Sequence, residues 1–516
     1  MLRAAQHNTD SAAPPSPEAP LHSSMPTTPP PLDPADWESY RTLAHRMLDE
    51  SLDYLRDIAK RPAWIPTPPA VRASIADEAV PTKGLGDAQA YEDFKELVRP
   101  YPNNNIHPRF WGWVMGTGSP QAAMADFLSS VVNPQMGGLD HAPIYVEQQV
   151  IRWYAELMGY GPNAGGLLMS GGTMANVLAL AVARTHSAGW DIRKTGTYGG
   201  PPLRVYGSAE THSWLKKSCD FLGMGDDAFR RVPVNADFQV DVAAMSAMIA
   251  EDRAAGLRPF CVIGTVGTVQ TGASDDLNAL ADLAAREKVW FHVDGAFGAM
   301  AALAEHPKAQ TAISGMSRAD SVAFDLHKWG YLPFDVAVVL TKEDRHLTDA
   351  FSTQAPYLAS STGGLNASGS IHFADRGIEL TRSFKALKVW MTMRAQGTDL
   401  LGQHIARNID QAAYLERLVR ANASLELLAP VPLNLVNFRY VKSGMSDDAL
   451  TALNREILVQ LQERGIATPS GTTIRGKFAI RVAITNHRSQ TADFDALVAG
   501  VLQLGAELSE PLPADR

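Results

Sequence analysis

From about residue 140 to 345 the chain alternates short apolar runs with amphipathic stretches, and no other feature limits its fold more tightly. The runs are LRVYGSA from Leu203, FCVIGTV from Phe260, VWFHVDGA from Val289 and DSVAFD from Asp320. Helical patterns such as VEQQVIRWYAELMGY and DLNALADLAAREK (from Asp276) stand beside and between them. Strands separated by helices predict an α/β fold with a mostly parallel central sheet, covered on both faces, over residues 110–400. Near residue 400 the pattern changes. NIDQAAYLERLVRA is followed by LNLVNFRYV and KFAIRVAITN, which predicts a smaller C-terminal α+β domain over 401–516.

The N-terminal end reads differently. Residues 1–32 are rich in Pro, Ala and Ser without apolar periodicity, the composition of a disordered tail. A helical segment is expected over 33–109, with Asp33 as cap and Pro34 in the first turn. Trp37, Tyr40, Leu43, Met47, Leu48, Leu52 and Leu55 recur near helical spacing. An amphipathic helix so far ahead of the main core needs a surface to cover, on its own body or on another subunit.

Composition removes several function classes. A net charge of -9 over 516 residues, without a basic stripe, argues against nucleic acid as a partner. No apolar run approaches a membrane span, and the first twenty residues lack the apolar core of a signal peptide. Cys219 and Cys261 are the only cysteines, so neither a disulfide framework nor a cysteine metal cluster is expected, and a cytoplasmic setting is the simplest reading. The fourteen histidines show no zinc spacing. GTTIRGKF, from Gly471, nearly spells a P-loop. Phe478 stands where a Ser or Thr must reach magnesium, and the segment leads into a strand.

In a parallel α/β sheet, ligands sit beyond the carboxyl ends of the strands. Asp294 closes VWFHVD, and Lys328 lies just past DSVAFD, between aromatic groups where a lysine looks out of place. His212 follows LRVYGSA, and Thr268 follows FCVIGTV. In LLMSGGTMANVLALAVAR, Ser170, Gly171, Gly172 and Thr173 open an apolar helix whose free N–H groups and dipole suit a phosphate. A lysine amine can form a Schiff base, a strand-end carboxylate can hold a pyridinium nitrogen, and an imidazole can stack on a flat ring. Together these are the needs of pyridoxal 5'-phosphate.

HVDGAFG, DLHKWGYLPFD, SGGTMAN, IHPRFWGWV and RSFKALKVW resemble the pyridoxal-phosphate-dependent group II amino-acid decarboxylases, the relatives of aromatic-L-amino-acid decarboxylase. The likeness runs from about residue 36 to 505. It implies the PLP-dependent transferase fold (aspartate aminotransferase superfamily, fold type I). It also implies a homodimer with interfacial active sites, around which the early helices wrap. By the same resemblance Lys328 matches the Schiff-base lysine, Asp294 the pyridine-nitrogen partner and His212 the stacking histidine. Gly172 and Thr173 match the phosphate turn and His327 the histidine before the lysine; Thr268, by its place at a strand end, is taken as a further cofactor contact. Tyr357, in STQAPYLASSTGG, matches the loop tyrosine that returns a proton after carbon dioxide leaves, a task in which His327 is a candidate partner. Asp325 departs from the pattern: the aromatic decarboxylases usually carry asparagine there, near the phosphate. VMGTGSP also departs, leaving Thr117 a weak carboxylate contact.

The reading that results is α-decarboxylation of an L-amino acid, aromatic by resemblance, to an amine. Phe110, Trp111 and Trp113 divide evenly between core and substrate pocket. Two rivals stand beside this reading on the same fold: an aminotransferase, with Arg481 binding an α-carboxylate, and a decarboxylase of glutamate or diaminobutyrate type, with Arg109 and Arg382 unplaced. A non-catalytic scaffold is the remote alternative.

Overall fold

The computed structural model describes residues 31–353, 363–366 and 371–510. Contacts divide the chain into two compact units, Met1–Ser51 and Leu52–Arg516. The helix Trp37–Arg56 begins in the first. Its cap is Asp36, not the expected Asp33: Asp36 Oδ1 accepts from the N–H groups of Glu38 (3.0 Å) and Ser39 (3.2 Å), and Oδ2 from the Ser39 hydroxyl. Asp33 sits too early to reach those amides, and Pro34 therefore precedes the first turn. Trp37, Tyr40 and Leu48 on this helix are exposed.

The second unit contains two sheets. The larger has seven strands: β1 (Gly165–Met169), β2 (Leu203–Ser208), β3 (Phe229–Val232), β4 (Arg258–Thr265), β5 (Trp290–Asp294), β6 (Ser321–Asp325) and β7 (Ala337–Thr341). Their spatial order is β1-β7-β6-β5-β4-β2-β3. The pairs from β6 across to β3 are parallel, as the alternation of runs and helices predicts. Every residue of β5, β6 and β7 is buried, because helices cover both faces.

β7 is the exception. It lies antiparallel between β1 and β6, in register Asp325↔Ala337. An antiparallel neighbour needs no crossover helix, so the chain leaves β6 and returns within the short segment 326–336. Backbone bonds from Leu326 N–H (3.0 Å) and His327 N–H (3.3 Å) to the Val336 carbonyl pin the base of that loop. Lys328 rides on it. The position that looked anomalous in sequence is thus a tightly closed turn at the carboxyl end of a central strand.

The smaller sheet is antiparallel, in the order β10-β11-β9-β8, from β8 (Leu425–Leu427), β9 (Leu435–Tyr440), β10 (Ser470–Ile474) and β11 (Lys477–Ala483). Arg475 and Gly476, with φ of 47° and 83°, make the two-residue hairpin turn, so GTTIRGKF is a hairpin and no phosphate loop. Helices Asp447–Glu463 and Thr491–Ser509 pack on this sheet around Phe438, Ile457, Ile480 and Phe494. Trp111 stacks on Phe494 at 4.9 Å in the same core, and Phe110 is also buried.

Candidate active site

One cleft beyond the carboxyl ends of β2, β4, β5 and β6 gathers Gly172, Thr173, Asn176, Glu210, His212, Trp214, Thr265, Asp294 and Lys328. Four side chains or turns named from sequence therefore meet: Lys328, Asp294, His212 and the Gly172–Thr173 turn. Trp113, Val114, Ala296 and Phe297 complete its wall. Trp113 and Val114 both have positive φ, 54° and 58°. A β-branched residue rarely adopts that conformation, and such strain is held where surrounding structure dictates it. The aromatic stripe thus splits, with Trp113 on the cleft and Phe110 and Trp111 in the core.

Asp294 is nearly inaccessible and receives three hydrogen bonds. Oδ1 accepts from the Ala296 N–H at 3.0 Å and from Asn176 Nδ2 at 3.3 Å; Oδ2 accepts from Trp214 Nε1 at 2.6 Å. Behind Asn176, His292 Nε2 lies 2.7 Å from Asn176 Oδ1 and His292 Nδ1 lies 2.8 Å from Ser321 Oγ. Trp290 Nε1 donates to that hydroxyl at 2.8 Å. Burial pushes His292 down to about 3, so it is neutral. Asn176, Trp214, His292 and Glu210 were not singled out in sequence, although each lies within or beside a motif that was. The side chains of Asn176, Trp214 and His292 carry no distinctive chemistry until the fold links them to Asp294, and Glu210 shares only the cleft wall.

His212 Nδ1 accepts the Trp214 N–H at 3.2 Å, which leaves its other nitrogen to carry the proton in the neutral ring. Burial against the cleft wall lowers its proton affinity; the Asp294 carboxylate opposes that effect and Lys328 adds to it. Glu210 is shifted the other way, upward, by burial, and its Oε2 has no partner among the described residues.

Lys328 Nζ lies 2.7 Å from Asp325 Oδ2. His327 does not line the cleft. Its Nδ1 meets the Val336 backbone, at 2.9 Å from the carbonyl and 3.2 Å from the N–H, and its ring packs on Phe334 at 4.6 Å. Burial lowers its proton affinity, with Asp325 opposing. Thr268 is turned away too: its hydroxyl meets that of Thr271 at 3.0 Å in the interior, while its neighbours Gly267 and Val269 face the cleft. Thr117 is buried, with Oγ1 2.8 Å from His487 Nδ1. Tyr357 lies outside the described residues.

The arginines left unplaced by sequence all have protein partners. Arg109 pairs with Asp493 at 3.0 Å, and Arg382 with the buried Glu147. Arg481 donates to the Val269 carbonyl at 2.6 Å and to Ser470 Oγ at 3.1 Å. None of them lines the cleft.

A phosphorylated pyridine aldehyde suits this donor set. The helix Gly172–Ser187 has Gly171 as its cap residue and no side-chain cap, so its first amides are open to an anion. Gly172 is required there, since a Cβ would lie 2.6 Å from Asp325 Oδ2. A primary amine, a buried carboxylate and an imidazole face the same space.

Comparisons with known proteins agree with this chemistry. The model of the pyridoxal-dependent decarboxylase conserved domain matches residues 69–441. An aromatic-L-amino-acid decarboxylase of Bacillus atrophaeus is 32% identical over 487 residues, 92% of this chain and 97% of that protein. The crystal structure of Oryza sativa TDC with PLP and tryptamine superposes with a TM-score of 0.85 at 24% identity, covering 93% of this chain and all of that one. The glutamate decarboxylase domain of diaminobutyrate-pyruvate transaminase and L-2,4-diaminobutyrate decarboxylase from Vibrio parahaemolyticus gives 0.80 at 27% identity, over 91% and 96% of the two chains.

Proposed function

The chain belongs to the pyridoxal-dependent decarboxylases, and from that premise we propose that it removes the α-carboxyl group of an aromatic L-amino acid as carbon dioxide, leaving the amine. Pyridoxal 5'-phosphate is its cofactor and supplies, when bound, the electron sink into which the broken bond's electrons pass. The observation that carries the reading is the convergence of Lys328, Asp294 and His212 on one cleft beside an uncapped helix N-terminus.

In this reading Lys328 Nζ would tether the cofactor and Asp294 would face its ring nitrogen. His212 would pack on the ring, and the first amides of helix Gly172–Ser187 would hold the phosphate. His327 positions the Lys328 loop through Val336. The return of a proton to the substrate carbon is assigned to Tyr357 on the strength of resemblance alone.

Trp113, Val114 and Phe297 offer an apolar wall to an aromatic side chain. Among the described residues no arginine lines the cleft, and Glu210 does, which disfavours an acidic substrate and an Arg481-based aminotransferase. Glu210 supports a second reading, a substrate whose side chain carries a donor, including a diaminobutyrate-type ammonium.

A homodimer is also proposed. The helix Pro120–Val132 exposes Phe127, Leu128, Val131 and Val132, an apolar surface that a second copy would cover. A cytoplasmic location fits two free, buried cysteines. No described helix is long and apolar enough to cross a membrane.

The test is a screen of phenylalanine, tyrosine, dihydroxyphenylalanine, tryptophan, glutamate and diaminobutyrate, with amine, carbon dioxide, aldehyde and keto acid all measured. Equal amounts of amine and carbon dioxide from an aromatic substrate are expected. Keto acid without carbon dioxide would overturn the reaction, and turnover of diaminobutyrate alone would move the substrate to the second reading. Lys328→Ala is expected to lose the holoenzyme's visible absorption band.

A further inference from the structure

The carboxylate of Asp325 is built into the seat proposed for the phosphate. It closes β6 at 1% exposure, and its Oδ2 lies within 2.6 Å of where a Cβ on Gly172 would stand. It therefore abuts the first turn of the helix whose open amides attract an anion. Among the described residues its one close cation is Lys328, 2.7 Å from Oδ2. Oδ1 has no hydrogen-bond partner among the described residues, and His327 Nε2, at 3.8 Å, is beyond hydrogen-bond range. A buried carboxylate oxygen with no donor is costly unless something that enters the seat supplies one.

We propose that capture of the phosphorylated cofactor brings one proton with it, held between Asp325 and the phosphate. A phosphate ester is mostly a dianion above its second pKa of about 6. Set beside Asp325, it puts two anionic groups into one buried site, and like charges so placed do not both stay fully ionised. The charged and titratable groups facing Asp325 do not relieve this. From its own loop come Lys328 and His327, from the loop after β2 comes His212, and from helix Gly172–Ser187 only the partial charge of its N-terminus. Both histidines are kept neutral by burial. Lys328 is the remaining full cation, and its nitrogen is the one the cofactor claims. A proton on Oδ1 or on a phosphate oxygen would turn the repulsion into a hydrogen bond and satisfy the orphaned oxygen.

The proposal rests on the phosphate lying at the Gly172–Thr173 turn. It is tested on full-length apoprotein by titration calorimetry with pyridoxal 5'-phosphate between about pH 7 and 9, in buffers of different ionisation enthalpy, which counts protons taken up. Wild type is expected to take up about one more proton than Asp325→Asn. Its dissociation constant should rise about tenfold more per pH unit than the variant's. Pyridoxal, which lacks the phosphate, is expected to bind wild type without the extra proton, and this arm stands even if the variant does not fold. Equal proton counts for wild type and Asp325→Asn, or for the two ligands on wild type, would overturn the proposal. An unchanged preference for pyridoxal 5'-phosphate over pyridoxal in Gly172→Ala would instead overturn the seat itself.

Discussion

Replacing Arg382 by methionine separates a structural arginine from a substrate-binding one. Its Nη1 donates to the Met136 carbonyl at 2.9 Å and to Glu147 Oε2 at 3.3 Å, and its Nη2 to the Leu168 carbonyl at 2.7 Å and to Glu147 Oε1. Glu147, on helix Ala142–Leu157, is wholly buried and also accepts the Leu168 N–H at 3.3 Å. The pair thus ties a helix, β1 and the segment around Met136 together. Arg382→Met leaves the Glu147 carboxylate without its cation, a loss of about 3–5 kcal/mol for a buried pair broken on one side. With an unfolding entropy of about 2 cal/mol/K per residue, a chain of this size should melt about 3–5 °C lower. Changing both partners, Glu147→Gln with Arg382→Met, should recover more than half of the loss, because an uncharged pair strands no charge. Thermal unfolding of the holoenzyme, alongside KM for the best substrate, is the assay. A variant that melts with wild type but binds substrate several-fold more weakly would refute the structural reading and return Arg382 to the substrate.

Three further outcomes follow from the site. His292 is held at about 3, below its unfolded value of about 6.5, so the unfolded chain binds its proton first as pH falls; stability is full above about pH 6.5 and declines below it, by about 1.4 kcal/mol per pH unit from this residue. In His292→Gln the stability-against-pH slope between pH 6 and 4, measured by urea denaturation, should be shallower by that amount. Trp214→Phe removes one hydrogen bond to a buried carboxylate and should cost the apoprotein about 1.5–3 kcal/mol, with a smaller loss once cofactor is bound; the apo and holo melting temperatures check this. Gly172→Ala sets a methyl against Asp325 and should weaken cofactor binding by about 5- to 150-fold by fluorescence titration, from overpacking of about 1–3 kcal/mol.

What sequence makes legible here, and what it hides, divides along physical lines. β2, β4, β5 and β6 are legible because strands covered on both faces must be apolar throughout. Asp294 and Lys328 are legible for the converse reason, since a charged group at the end of such a run needs a use. The direction of β7 is not legible, because Ala337–Thr341 is equally apolar whichever way it runs; only its short return from β6 fixes it. The cap of the first helix is misread because Asp33 and Asp36 are chemically alike and only the reach of the carboxylate chooses between them. The arginines are hidden more deeply. Arg481 and Arg382 meet backbone groups and a carboxylate brought from distant segments, and neither local pattern nor charge reveals those partners. His327 and Thr268 lie in the expected stretches but turn their side chains to Val336 and Thr271, a choice of side-chain direction that spacing does not encode.

Two buried carboxylates, Asp294 on the cleft and Asp325 beside the Gly172 turn, differ in how they are held. Asn176 Nδ2 donates to Asp294 and, at 2.8 Å, to the Gly172 carbonyl, so its oxygen must be the group facing His292. His292 Nε2 then carries the proton and Nδ1 accepts from Ser321, whose oxygen in turn accepts from Trp290. One hydrogen bond at each step of the sequence Trp290, Ser321, His292, Asn176 thereby runs toward Asp294, and the depressed proton affinity of His292 keeps that direction at neutral pH. Three fixed donors hold the Asp294 carboxylate in one orientation on the cleft. Asp325 has one lysine and an orphaned oxygen. Asp294 is therefore fixed by hydrogen bonds that reach back through the sheet, whereas Asp325, beside the Gly172 turn, is held by Lys328 on one oxygen alone.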